Sequence, residues 1–153
     1  MKGTARRGRF AEEDDERAAS LRASAKERAE NIMILDMVRN DLARLAGTGK
    51  VRTTALCELE KYPTLWQMTS TAETDTTADF AGVMEKLFPC ASITGAPKYS
   101  TMAIIKRLEK GPRNIYTGCI GYLAPQGRAQ FNVAIRTVQI LSLIHISEPT
   151  RPY

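Results

Sequence analysis

The stretch SAKERAENIMILDMVRNDLARLAGTGKVRTTALCELEKYPTLWQMTST, Ser24 to Thr71, changes character part-way along. In its first half Leu35, Val38, Leu42 and Leu45 recur at helical spacing, so an apolar stripe runs along one helix face. The sequence reads as helix from about Glu12 to Ala46, in one or two pieces. The acidic residues Glu12 to Glu16 suit the positive end of a helix dipole. Gly47 closes the helix in GTGK. From Val51 to Thr71 β-branched and aromatic residues surround Pro63, the signature of two or three short strands. A helical block passing straight into a strand block, without regular βα alternation, predicts an α+β layered fold.

The same reading works outward. TDTTADFAGVMEKLFP predicts a polar loop and then a helix, capped by Thr76 or Thr77 and closed before Pro89. CASITGAP reads as a loop, and KYSTMAIIKRLEK as a helix entered through Pro97 and ended by Gly111-Pro112. NIYTGCIGYLAPQGRAQFNVAIRTVQI predicts a β-hairpin turning at Pro125-Gln126-Gly127. The last thirteen residues, LSLIHISEPTRPY, break the pattern. They resemble the translated read-through of a DNA-library adapter. The expected organisation is therefore one domain over 1–140 and a non-native tail over 141–153.

Composition narrows the chemistry. Of 153 residues 43% are hydrophobic and 25% charged, as in ordinary globular chains. No apolar run approaches the ~18 residues of a membrane span, and the basic first residues lack the apolar stretch of a signal peptide. The net charge of +5 is spread along the chain. Arg6, Arg7 and Arg9 form the tight basic cluster, and no aromatic residues interleave with it, which argues against a nucleic-acid partner. Cys57, Cys90 and Cys119 are widely spaced, so reduced thiols, a cytoplasmic location and no zinc site are expected. His145 is the single histidine and falls in the expected tail. A Ser-His or Cys-His nucleophile is thereby excluded, and chemistry must come from carboxylates, lysine, arginine or a metal.

Three places draw attention. In SITGAPK, Ser92 to Lys98, Gly95 permits unusual backbone and Pro97 opens a helix. The residues fit either an anion site at that helix start or simply a helix entrance. Glu30 has Met33, Ile34 and Met37 on its own helix side. A carboxylate there needs a partner: a hard cation such as Mg2+, or a neighbouring lysine or arginine. Arg136 lies in FNVAIRTVQI, where alternation places it with Asn132 and Ala134. Arginine in an uncharged strand can grip a carboxylate, with the Tyr116 hydroxyl assisting from the partner strand. An exposed strand face is the other reading.

KGTARRG, SAKERAENIMILDMVRNDLARL, YPTLWQMTST, ASITGAPK, IYTGCIGYL and FNVAIRTVQI together, in this order, resemble the chorismate-utilising enzymes. That family contains anthranilate synthase component I and aminodeoxychorismate synthase component I. The resemblance spans Lys2 to Ile140 and implies a layered α/β/β/α chorismate-binding fold whose N-terminal region and last strands and helix lie outside this chain. It implies chorismate as substrate, Glu30 as a Mg2+ ligand, and Tyr116 and Arg136 as the pair on a substrate carboxylate. Gly3, Thr4, Thr94 and Gly95 would supply backbone and hydroxyl contacts. Lys2 in KGT separates the branches: anthranilate synthases usually carry alanine there. In the aminodeoxychorismate branch the lysine, buried near other cations, is expected to add covalently to the chorismate ring. Gln67 occupies the slot where anthranilate synthases tend to have histidine. The resemblance further implies a glutamine amidotransferase subunit or domain supplying ammonia, C4 amination for 4-aminobenzoate synthesis, and, as the alternative, C2 amination to anthranilate. MKGT reads as the interior of a longer motif, so the chain is expected to be a cut piece, inactive by itself.

Overall fold

The computed structural model describes residues 1–47, 49–142 and 145–147. They divide into two compact units, Met1–Ala91 and Ser92–Tyr153. Helix and strand occur in blocks, so the class is α+β.

In the first unit strand β1 (Thr4–Arg6) leads into helices α1 (Ala11–Ala23) and α2 (Ala25–Ala43). Ser24 divides the expected helix. Its backbone leaves helical geometry, its N–H donates to the Leu21 carbonyl at 3.3 Å, and its hydroxyl accepts from the Glu27 N–H at 3.3 Å. One residue thus caps both helices. The stripe is used as read: Leu35 and Leu45 are buried, Val38 and Leu42 half-buried. α2 ends at Ala43, short of Gly47, because the Arg44 N–H already turns back to the Asp41 carbonyl at 3.2 Å.

Strands β2 (Arg52–Lys61) and β3 (Leu65–Glu73) form one long hairpin instead of several short strands. Pro63 sits in the turn, where its missing N–H interrupts no ladder. The sheet order is β1-β3-β2, antiparallel throughout, with Thr4 and Glu60 both opposite Gln67. β2 carries irregularities in register between Thr53 and Glu58, and Cys57 there has φ +53°. Leu21, Cys57 and Met68, the last with no exposed surface, make the core, and Ala5, Leu59 and Trp66 pack against it.

The acidic run does more than face a dipole. Asp14 is buried. It accepts from Arg7 through Nε (2.7 Å) and Nη2 (2.8 Å), from the Gly8 N–H (2.9 Å) and from the Trp66 indole (2.9 Å), with the Lys61 amine at 3.3 Å. A buried carboxylate requires such partners, and the cluster ties α1 to the exit of β1 and to the hairpin. The paired Arg7 guanidinium holds the Asp14 carboxyl well below the usual carboxylate range.

Helix α3 (Phe80–Leu87) ends before Pro89 as expected, but Asp79 caps it, accepting from the Gly82 N–H at 2.8 Å. Thr76 is turned elsewhere: its hydroxyl donates to the Leu45 carbonyl at 2.9 Å.

Around and within the second unit, CASITGAP is not wholly a loop, since Ala91–Thr94 forms a short helix, α4. Helix α5 (Lys98–Leu108) follows Pro97, which lies at the cap, and ends before Gly111. Strands β4 (Cys119–Leu123) and β5 (Ala129–Val133) pair antiparallel about the Pro125–Gly127 turn. β6 (Gln139–Ser142) and β7 (His145–Ser147) form a second pair. Of the expected foreign tail, residues 143, 144 and 148–153 lie outside the described residues. No helix among the described residues is long and apolar enough to cross a membrane.

Candidate functional site

Lys2, Gly3, Thr4, Glu30 and Gln67 come together in the first unit. The chain enters β1 against β3, the Lys2 N–H donating to the Met68 carbonyl at 3.1 Å and the Met68 N–H to the Gly3 carbonyl at 2.8 Å. Gly3 has φ +92°, and a Cβ on it would stand 3.1 Å from the Met68 Cβ and 3.3 Å from Glu27. Only glycine lets the backbone pass there. The Gln67 side chain reads this segment directly: its amide donates to the Gly3 carbonyl at 2.7 Å and its oxygen accepts from the Thr4 hydroxyl at 3.0 Å.

The Lys2 amine lies 3.8 Å from the Glu30 carboxylate, with side chains 43% and 39% exposed. Lys2 is therefore half-exposed and faces a carboxylate, where the resemblance implied a buried amine among cations. Its place just before the short edge strand β1 leaves its amine beside Glu30 of α2. The four-carbon stem lets the amine reach the rim.

The remaining expected residues lie in the second unit. Thr94 ends α4, and Gly95 has φ +143°, with Thr101 atoms 3.0–3.1 Å from where a Cβ would stand. Arg136 is not in a strand. β5 stops at Val133, the Ile135 N–H folds back to the Val133 carbonyl at 2.9 Å, and Arg136 has φ +51°. It shares no strand face with Asn132. Tyr116 likewise precedes β4, in a turn, with the Arg113 guanidinium 5.9 Å from its ring centroid. The Thr117 N–H donates to the Ala134 carbonyl at 2.9 Å, so Tyr116 and Arg136 flank the same, open end of the hairpin.

No group of three or more His, Cys, Asp or Glu side chains stands ready for a metal among the described residues. Mg2+ is commonly held by one or two protein carboxylates, with substrate oxygens and water completing the shell. Glu30, partly open to solvent, fits one such ligand. Glu27 lies one turn earlier on α2, against Gly3. A groove of about 470 Å³ between Asp36, Arg39, Asn40, Lys50 and Val51 contains none of these residues.

One contributor escaped the sequence reading, and one charged residue nearby finds partners the sequence did not show. Asn31, buried, donates to the Lys2 carbonyl at 3.0 Å and to the Met68 carbonyl at 3.1 Å. A polar residue inside NIMIL was the available signal. Glu60 accepts from the Tyr62 hydroxyl at 2.6 Å and the Thr69 hydroxyl at 2.7 Å. The Tyr62 bond foremost, then the Thr69 one, lowers the Glu60 carboxyl from its ordinary value, and the Glu60 bond foremost raises the Tyr62 phenol.

The family model of the chorismate-binding enzymes matches residues 1–143. The chain belongs to that family. It is 44% identical over 140 residues to an aminodeoxychorismate synthase of Streptomyces pristinaespiralis, covering 90% of this chain and 20% of that protein. It is 41% identical to aminodeoxychorismate synthase component 1 of Bacillus subtilis, covering 89% and 29%. With anthranilate synthase component 1 of Thermococcus kodakarensis it shares 40% identity, covering 90% and 32%. The chain thus spans about a fifth to a third of these relatives. Its fold matches the menaquinone-specific isochorismate synthase of Escherichia coli with a TM-score of 0.73 at 20% identity, covering 90% of this chain and 31% of that one. It matches anthranilate synthase component I of Streptococcus pneumoniae with a TM-score of 0.70 at 32% identity, covering 88% and 31%. The chain therefore corresponds to part of the chorismate-binding domain.

Proposed function

We propose that this chorismate-binding segment, residues 1–140, belongs to an aminodeoxychorismate synthase component I that aminates chorismate at C4 on the way to 4-aminobenzoate. The observation that carries the reading is the Lys2 amine at the mouth of the β1–β3 junction, 3.8 Å from Glu30 and beside the Gln67–Gly3 contact. Lys2 is the nucleophile. Its amine forms a C–N bond to the ring as the C4–O bond breaks, and the departing hydroxyl takes a proton from solvent and leaves as water. Ammonia then bonds to C4, the lysine C–N bond breaks, and the surplus proton passes to solvent; one hard displacement becomes two easier ones. Glu30 would hold Mg2+, which when bound supplies positive charge for a substrate carboxylate. Arg136 and Tyr116 take a carboxylate by paired donation, while Gly3, Thr4, Thr94 and Gly95 orient the ring substituents. Ammonia comes from a glutamine amidotransferase subunit or domain, and the whole works in the cytoplasm.

Titrating the chain with chorismate and Mg2+ while following Trp66 fluorescence tests the binding half. Saturable, magnesium-dependent quenching is expected; a flat response would remove the substrate assignment. For the chemistry, residues 2–140 grafted into the Bacillus subtilis relative should make aminodeoxychorismate from ammonia, and Lys2→Ala should cost at least ~10²-fold. The similarity to anthranilate synthases supports a second reading, C2 amination with loss of pyruvate. Under it the graft would release anthranilate and Lys2→Ala would scarcely matter.

A further inference from the structure

The Lys2–Glu30 pair does not explain its own geometry. At 3.8 Å, with both side chains about two-fifths exposed, it belongs to the class of surface ion pairs whose attraction barely exceeds the entropy of holding two long side chains. Something stiffer must bring the two together. Asn31 follows Glu30 directly in α2, and its carboxamide is nearly out of solvent, at 3% exposure. Both of its donor hydrogens are used, on the carbonyls of Lys2 and Met68. Its oxygen accepts from the Ser70 hydroxyl and from the Cys57 thiol at 3.8 Å. A carboxamide offers two donors and two acceptor sites, so this one is saturated, and it cannot swing without leaving buried groups unpaired. It joins α2, by covalent attachment, to the segment leading into β1 through Lys2, to β2 through Cys57 and to β3 through Met68 and Ser70.

From this we infer that Asn31 is the positioning residue that holds the Lys2 amine against Glu30. The two side chains meet because their backbones are pinned one residue apart by a single buried amide. The ion pair is a consequence of that pin. The inference rests on the proposed roles of Lys2 and Glu30 for its importance, but its test needs neither chorismate nor Mg2+.

The experiment is a mutant cycle read by the rate at which acetic anhydride acylates Lys2 in the full chain, quantified by peptide mass spectrometry. Glu30→Gln should change that rate by about twofold or more, the size an exposed pair allows. In an Asn31→Ala background that remains folded by circular dichroism, the same Glu30→Gln change should alter the rate by a factor near one. An equal factor in both backgrounds, or no effect of Glu30→Gln in the unmodified chain, overturns the inference. A merely structural Asn31 would lower the melting temperature and leave the coupling intact. If Asn31→Ala does not fold, the unmodified chain decides by NMR: the two Asn31 Nδ2 protons should exchange at least about tenfold more slowly than a free amide, and free exchange overturns the pin. Coupling without chorismate binding would sink the proposed function and leave the positioning role standing; binding without coupling would do the reverse.

Discussion

Protonating Asp14 should loosen the first unit. Arg7 foremost, then the Gly8 N–H and the Trp66 and Lys61 donors, hold its folded carboxyl below the usual range. In the unfolded chain the same group titrates near ~3.9. The folded state therefore gains stability from this group above about pH 5 and loses it as pH falls through ~4 toward the lower folded value. Melting temperatures from pH 6 to 3 should fall more steeply for the wild type than for Asp14→Asn, and parallel curves would contradict this. Gly3→Ala tests a different kind of residue. With φ +92° and Met68 at 3.1 Å, alanine should cost roughly 1–3 kcal/mol in chemical denaturation. Part of the site was legible at this scale. KGT, Glu30 and the glutamine of LWQMTS stood out together, and the fold unites them. Asp14 and Asn31 were not legible, because their partners stand up to 52 and 39 positions away. A charge run or an isolated amide looks the same in sequence whether it turns inward or outward.

Among elements, the helix-to-strand switch in Ser24–Thr71 was plain because a stripe at helical spacing gives way to β-branched and aromatic residues around Pro63. Ends were harder. Thr76, Thr77 and Asp79 are all acceptable caps, and only geometry shows that Thr76 is committed to Leu45 and Asp79 to Gly82. Asp79→Ala should therefore destabilise by about 1 kcal/mol, with reduced far-UV helicity, while Thr77→Ala should leave the helix unchanged. Arg136 exposes the same limit in a strand. Alternation continues through AIRTV although the backbone turns at Arg136 with φ +51°, and hydropathy carries no information on the sign of φ. Pro63 misled in the opposite sense, since a proline centred in a hairpin turn shortens neither strand.

The two units differ in how they guard their sheet edges. β2 presents Arg52, Glu58, Glu60 and Lys61 along its length, with irregular register between. β4 and β5 hold no charged residue, and Ile120, Tyr122, Leu123 and Phe131 are exposed. An uncharged hairpin of this kind invites pairing with other chains. Leu123→Lys should lower self-association in sedimentation velocity without affecting the Asp14-dependent melting. Composition could not show this, because the apolar residues of the hairpin look in sequence like residues destined for a core.

Cys57, sealed at the irregular stretch of β2 with its sulfur on Asn31, lends itself to use as a clock. Cys90 and Cys119 are half-buried and form no disulfide. An aromatic disulfide reagent should consume those two thiols first, then the third only as fast as the first unit breathes open. The lag between the second and third equivalents would time that breathing in plain buffer, with no denaturant and no label.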